Sequence, residues 1–123
     1  MPTAQVILAE DEAPLRQLIT QMLTEAGLTV RPAADGVEAL ALVEKYPGVS
    51  LLLSDVKMPR MDGYALAEAA LELRPELKVV MMTAYTQEHP PSALMKAREI
   101  RVLVKPFNLD RLVALIEGML SRP

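Results

Sequence analysis

Five strand-length apolar runs alternate with stretches of helical periodicity, and this alternation limits the architecture of the chain more than any other feature. The runs cover residues 5–9, 28–32, 49–54, 77–82 and 100–104 and are rich in Val, Leu and Ile. Between the first two, Leu15, Leu18, Ile19, Met22, Leu23 and Ala26 recur at the three-four spacing of one helix face. Pro14 suits the first turn of that helix and Gly27 its exit. A second helix opens at Asp35, with Glu38 three residues on as in a capping box, and stops at Pro47. A third runs from about residue 63 to 74 and is ended by Pro75. His89, Pro90 and Pro91 delay a fourth, leaving residues 92–98. Asn108 is the expected N-cap of the last, which sets Leu109, Leu112, Val113, Ile116 and Leu120 on one face.

Strands that alternate with helices predict right-handed crossovers and a parallel sheet covered on both faces. Runs three and four are continuously apolar, as central parallel strands are. Run two alternates and contains Pro32, which cannot donate to a ladder, so it belongs at an edge. The expected fold is α/β, a flavodoxin-like doubly wound sheet of five parallel strands in the order 2-1-3-4-5, with five helices on its two faces. A length of 123 residues suits one domain over 1–123, and 51% hydrophobic content is enough to give it a core.

The remaining composition narrows the function. A net charge of −3 speaks against non-specific nucleic-acid binding, and the lack of cysteine rules out disulfides and thiolate metal sites. Acids at residues 10 and 11 come too early for a signal peptide, and no apolar run approaches the ~20 residues of a membrane span. A soluble, cytoplasmic domain is expected.

In a sheet of this order, ligands bind beyond the carboxyl ends of the strands. Strand one leads into Glu10 and Asp11, strand three into Asp55, strand four into Thr83, and strand five into Lys105 and Pro106. Strand two leads only into Ala33 and Ala34. Taken singly, Glu10 and Asp11 could be caps of the first helix, Thr83 a turn residue and Lys105 a solvated strand end. Together they place three carboxylates, a hydroxyl and an ammonium in one crevice. A carboxylate cluster without histidine suits a hard cation such as magnesium. An ionised aspartate beside such a cation can attack phosphorus, and Lys105 and Thr83 could then serve the phosphoryl oxygens.

The motifs AEDE at 9–12, SDVKMPRMDG at 54–63, TAY at 83–85 and KPF at 105–107 resemble, in type and mutual spacing, the receiver domain of bacterial two-component response regulators. The resemblance covers the whole chain. It implies that Asp55 is the phosphoacceptor and that Glu10, Asp11, Asp55 and the main-chain carbonyl of Lys57 hold Mg2+. It also implies that Thr83 and Lys105 contact the phosphoryl group, that Lys57 and Tyr85 modulate its loss, and that the peptide before Pro106 is cis. The implied partners are a sensor histidine kinase or phosphotransfer protein as donor, and a downstream protein or an effector domain as target, with a homodimer a further possibility. Aspartyl phosphorylation and autodephosphorylation would both be self-catalysed.

The chain departs from the family pattern at Val102, where many receivers carry a mobile Tyr or Phe. Arg98-Glu99 and Pro90-Pro91 are also atypical, so the face made by the fourth helix, fifth strand and last helix is expected to be remodelled or idle. Any dimer formed on phosphorylation is expected not to depend on an aromatic switch at 102. The alternative is a pseudo-receiver that binds protein without phosphorylation, against which the complete acid, hydroxyl and lysine set speaks. A flavin carrier fits poorly, because the loop after strand one is acidic and only 3% of residues are aromatic.

Overall fold

Side chains alternate across the sheet, and this alternation sorts the apolar residues into two cores. The computed structural model describes residues 5–83 and 100–121. Its strands are β1 (Gln5–Ala9), β2 (Thr29–Ala33), β3 (Val49–Asp55), β4 (Lys78–Thr83) and β5 (Ile100–Val104). Its helices are α1 (Ala13–Glu25), α2 (Gly36–Lys45), α3 (Gly63–Leu73) and α4 (Leu109–Leu120). All strand pairs are parallel, in the order β2-β1-β3-β4-β5. Residues 92–98, where a further helix was expected, lie outside the described residues. Among the described residues, no helix is long and apolar enough to cross a membrane.

Val6 and Leu8 of β1, Leu51 and Leu53 of β3, and Val80 and Met82 of β4 pack against Ile19 and Leu23 of α1 and Leu112, Ile116 and Met119 of α4. The intervening residues Ile7, Ala9, Leu52, Val79 and Met81 face α2 and α3, chiefly Ala39, Val43, Leu66, Ala67, Ala70 and Leu71. β2 is an edge strand, so Pro32 opposes Leu8 on one side only. Leu18, assigned to the buried face of α1 by its spacing, is 44% exposed; Ile19 and Leu23, four apart, form the buried line instead.

Two strands start one residue later than the apolar runs suggest. Leu28 is taken up by the exit of α1, where its amide reaches the Leu23 carbonyl and the Gly27 amide, at φ +94, reaches Thr24. That is the two-bond closure of a Schellman motif. The Leu77 amide likewise closes a turn onto the Arg74 carbonyl. β3 runs one residue further, so that Asp55 is the last residue of the strand.

Helix entry follows the cap residues. Asp35 accepts from the Glu38 amide, Asp62 from the Ala65 amide, and Asn108 from the amides of Asp110 and Arg111. Gly63 opens α3 directly beneath Asp55, where a β-carbon would collide with the Asp55 carbonyl and lie 2.6 Å from Met81 Cε. Gly63→Ala is therefore expected to lower the free energy of unfolding by about 1–3 kcal/mol in urea titration. Gly118→Ala, on α4 with nothing within 4 Å of the added methyl group, is expected to raise it by about 0.5–1 kcal/mol. Equal effects would mean that the helix does not abut the strand tip.

Candidate functional site

Glu10, Asp55 and Lys105 meet because each continues the side-chain alternation of its strand. Glu10 follows Val6 and Leu8, Asp55 follows Leu51 and Leu53, and Lys105 follows Leu103, all on the α1 and α4 side of the sheet. Backbone bonds carry the ladder one step past the strands and fix these residues: the Glu10 amide to Ala33, the Val56 amide to Met82 and the Lys105 amide to Thr83. The Lys105–Pro106 peptide is cis.

The resulting cavity, of about 280 Å³, is lined by Asp11, Glu12, Asp55, Val56, Lys57, Thr83 and Lys105. Carboxylate oxygens of Glu10, Asp11 and Asp55 all lie within 4.8 Å of one another. Lys105 Nζ donates to Asp55 Oδ2 at 3.1 Å and stands 3.7 Å from Glu10 Oε1. Glu10 and Thr83 are buried, Asp55 is 8% exposed, and Asp11 is open to solvent. A larger, apolar cavity borders Lys105, lined by Leu15, Pro106, Phe107 and Leu109; without carboxylates, it offers a hard cation no ligands.

Neither Glu10 nor Asp11 caps α1. Its N-cap is Glu12, which makes no side-chain cap bond. Glu10 Oε2 instead accepts the Glu12 amide at 3.0 Å, and Arg16 Nη1 donates to the Glu10 carbonyl at 2.8 Å. Glu12 and Arg16 thus fix the loop after β1. Sequence reasoning assigned neither a role, although Glu12 lies inside the AEDE run and Arg16 stands one helical turn beyond it.

Two carboxyl groups are held away from their ordinary ionisation. Burial, with the nearby Asp55 charge adding to it, pushes Glu10 from 4.5 up to about 7, against the Glu12 amide and Lys105. Burial raises Asp55 too, against its hydrogen bond from Lys105. Burial opposes the Lys105 charge, but the hydrogen bond and charge of Asp55 outweigh it and raise the lysine above its usual value.

Glu10 Oε1 is buried and has no hydrogen-bond partner. With two further carboxylates beside it, that oxygen suits an oxygen-liganded divalent cation. Lys57 contributes to the cavity wall and Val102 lies exposed on β5. Tyr85 and His89 lie outside the described residues.

A model of the response regulator receiver domain matches residues 6–117. The response regulator receiver protein CpdR of Brucella abortus is 37% identical over 116 residues, which is 94% of this chain and 96% of that protein. Sensor kinase CckA of the same organism is 35% identical over 121 residues, 98% of this chain but 13% of the kinase. Among solved structures, response regulator protein TrrA from Thermotoga maritima, in complex with Mg(2+)-BeF, has a TM-score of 0.83 and 25% identity. That match covers 95% of this chain and 99% of TrrA.

Raising the pKa of an acid on folding means that the folded state binds more protons than the unfolded one, so stability falls as pH rises. For Glu10 the benefit is complete below its ordinary 4.5 and is lost as pH passes about 7. In the absence of divalent cations, the Tm of Glu10→Gln relative to wild type is expected to climb across that window, measured by circular dichroism. Parallel Tm curves would contradict the burial of a strained carboxylate.

Proposed function

This chain belongs to the response regulator receiver family, and from that premise we propose that residues 1–123 form one phosphoacceptor domain with Asp55 as the acceptor. The donor is a phosphohistidine on a sensor histidine kinase or a phosphotransfer protein. An Asp55 carboxylate oxygen attacks phosphorus, the P–O bond forms as the P–N bond breaks, and the electron pair returns to the imidazole. The observation that carries this reading is the convergence of three carboxylates and one ammonium at the strand tips, where a buried Glu10 oxygen has no hydrogen bond.

Glu10, Asp11, Asp55 and the Lys57 carbonyl would hold magnesium. Bound there, the ion offsets carboxylate charge and the charge on the transferring oxygens. Lys105 supplies a second positive charge from a fixed position 3.1 Å from Asp55, and the Thr83 hydroxyl donates to a phosphoryl oxygen. Glu12 and Arg16 keep Glu10 in place beneath them. Hydrolysis of the aspartyl-phosphate returns the domain to its resting form, with Lys57 and Tyr85 tuning the access of water. The phosphorylated form acts on a downstream protein or effector domain in the cytoplasm, directly or as a homodimer, without itself contacting nucleic acid.

Intact-mass spectrometry after incubation with magnesium and a small-molecule phosphodonor tests this proposal. One added phosphoryl group is expected on wild type, none on Asp55→Asn or with magnesium chelated. For Lys105→Met, formation is expected to slow by roughly two to three orders of magnitude. An adduct that survives Asp55→Asn would contradict the assignment of the acceptor. No adduct on wild type, with magnesium binding also absent, would favour the pseudo-receiver.

A further inference from the structure

β2 was expected to contribute nothing to the crevice, because it leads only into alanines. Two residues past its end, however, Asp35 holds the loop between Asp55 and α3. Asp35 Oδ1 accepts the Glu38 amide at 2.8 Å and so caps α2, while Oδ2 accepts from Arg60 Nε at 3.1 Å and pairs with Arg60 Nη2 at 2.7 Å. Arg60 has a φ of 71°, which a residue with a β-carbon rarely adopts. The Met61 amide reaches back over it to the Pro59 carbonyl at 2.8 Å, making the less common form of γ-turn.

A second contact joins the same two segments. A β-carbon on Gly36 would come 2.6 Å from the Met61 carbonyl oxygen and 2.9 Å from its Cβ, so the first turn of α2 lies flush against the loop. At the loop's other end, the Gly63 amide closes onto the Val56 carbonyl at 2.7 Å. Residues 56–62 are thus pinned at Val56, Arg60 and Met61, and Lys57 lies within that span, in the wall of the carboxylate cavity.

An exposed ion pair contributes little to stability on its own, and the Arg60 side chain is 61% exposed. Stability therefore does not account for a strained backbone at Arg60. Strain of this kind is kept where surrounding contacts over-determine it, and such places cluster beside functional sites. We infer that the Asp35–Arg60 pair is a positioning device, holding residues 56–62 so that the Lys57 carbonyl stays in register with the carboxylate cluster. Asp35 and Arg60 act through Lys57 and touch neither the cation nor the phosphoryl group. This inference rests on the reading of the cluster as a magnesium-dependent phosphoacceptor site.

The test compares wild type with Arg60→Gly, which suits the positive φ, with Asp35→Asn, which keeps the helix cap, and with the double variant. Magnesium affinity is measured by calorimetry, and amide hydrogen exchange at Met61 and Gly63 is measured in the metal-free proteins. Each single variant is expected to bind magnesium roughly tenfold more weakly, the scale seen when the support of a metal ligand is removed. The double variant is expected to lose no more than either single one, because both remove the same contact. Exchange at the two amides is expected to quicken in all three variants while Tm changes little. Wild-type affinity and exchange in both single variants would overturn the inference, as would losses that add in the double variant. Absence of magnesium binding by wild type would overturn the underlying reading, and this inference with it, a result visible in the parent protein alone.

Discussion

The Asp55 carboxylate can end a largely buried strand because the Lys105 ammonium stands 3.1 Å from it. The two residues are 50 positions apart and come from strands separated by β4. Their meeting requires the parallel order, the register that sets Asp55 beside Met82, and the step past β5 made by the Lys105 amide. A one-residue slip in either strand would turn one of the charges to the opposite face. The ion pair and the sheet therefore specify one another.

That pair offsets only part of the charge. Glu10 is buried with one oxygen that makes no hydrogen bond and stands 3.7 Å from Lys105 Nζ, and Asp11 adds a third carboxylate. Burial is the main cause of the raised values of Glu10 and Asp55, and the neighbouring carboxylate charge adds to it at each. A fold selected for stability alone would replace these acids with apolar residues, as the rest of each strand does. Their presence is understandable if a cation, and with it a phosphoryl group, occupies the site.

Much of this was legible in the sequence because two periods carry it. Alternation along Val6–Leu8–Glu10 and Leu51–Leu53–Asp55 sets the tips on one face, and the proline in β2 marks the edge strand. An edge position for β2 fits the doubly wound order 2-1-3-4-5 that the sheet has. What escaped notice involves contacts that no period encodes. Leu28 and Leu77 look like strand residues but are taken up in closing the preceding turns. Leu18 fits the helical spacing yet falls beside the buried line rather than on it. Glu12 acts through its own main-chain amide and Arg16 on the main-chain carbonyl of Glu10, and Asp35 reaches Arg60 across 25 residues, so their sequence surroundings give no hint of a partner.

The most direct measurement of the central claim is the unfolding free energy of wild type and Asp55→Asn at neutral pH, with and without magnesium. If the cluster is an unbalanced anionic site completed by a cation, metal-free Asp55→Asn is at least as stable as wild type. At magnesium about 100 times its Kd, wild type then gains about 2.7 kcal/mol and the variant distinctly less, so the order reverses. Equal gains in the two proteins, or none in wild type, would contradict the account.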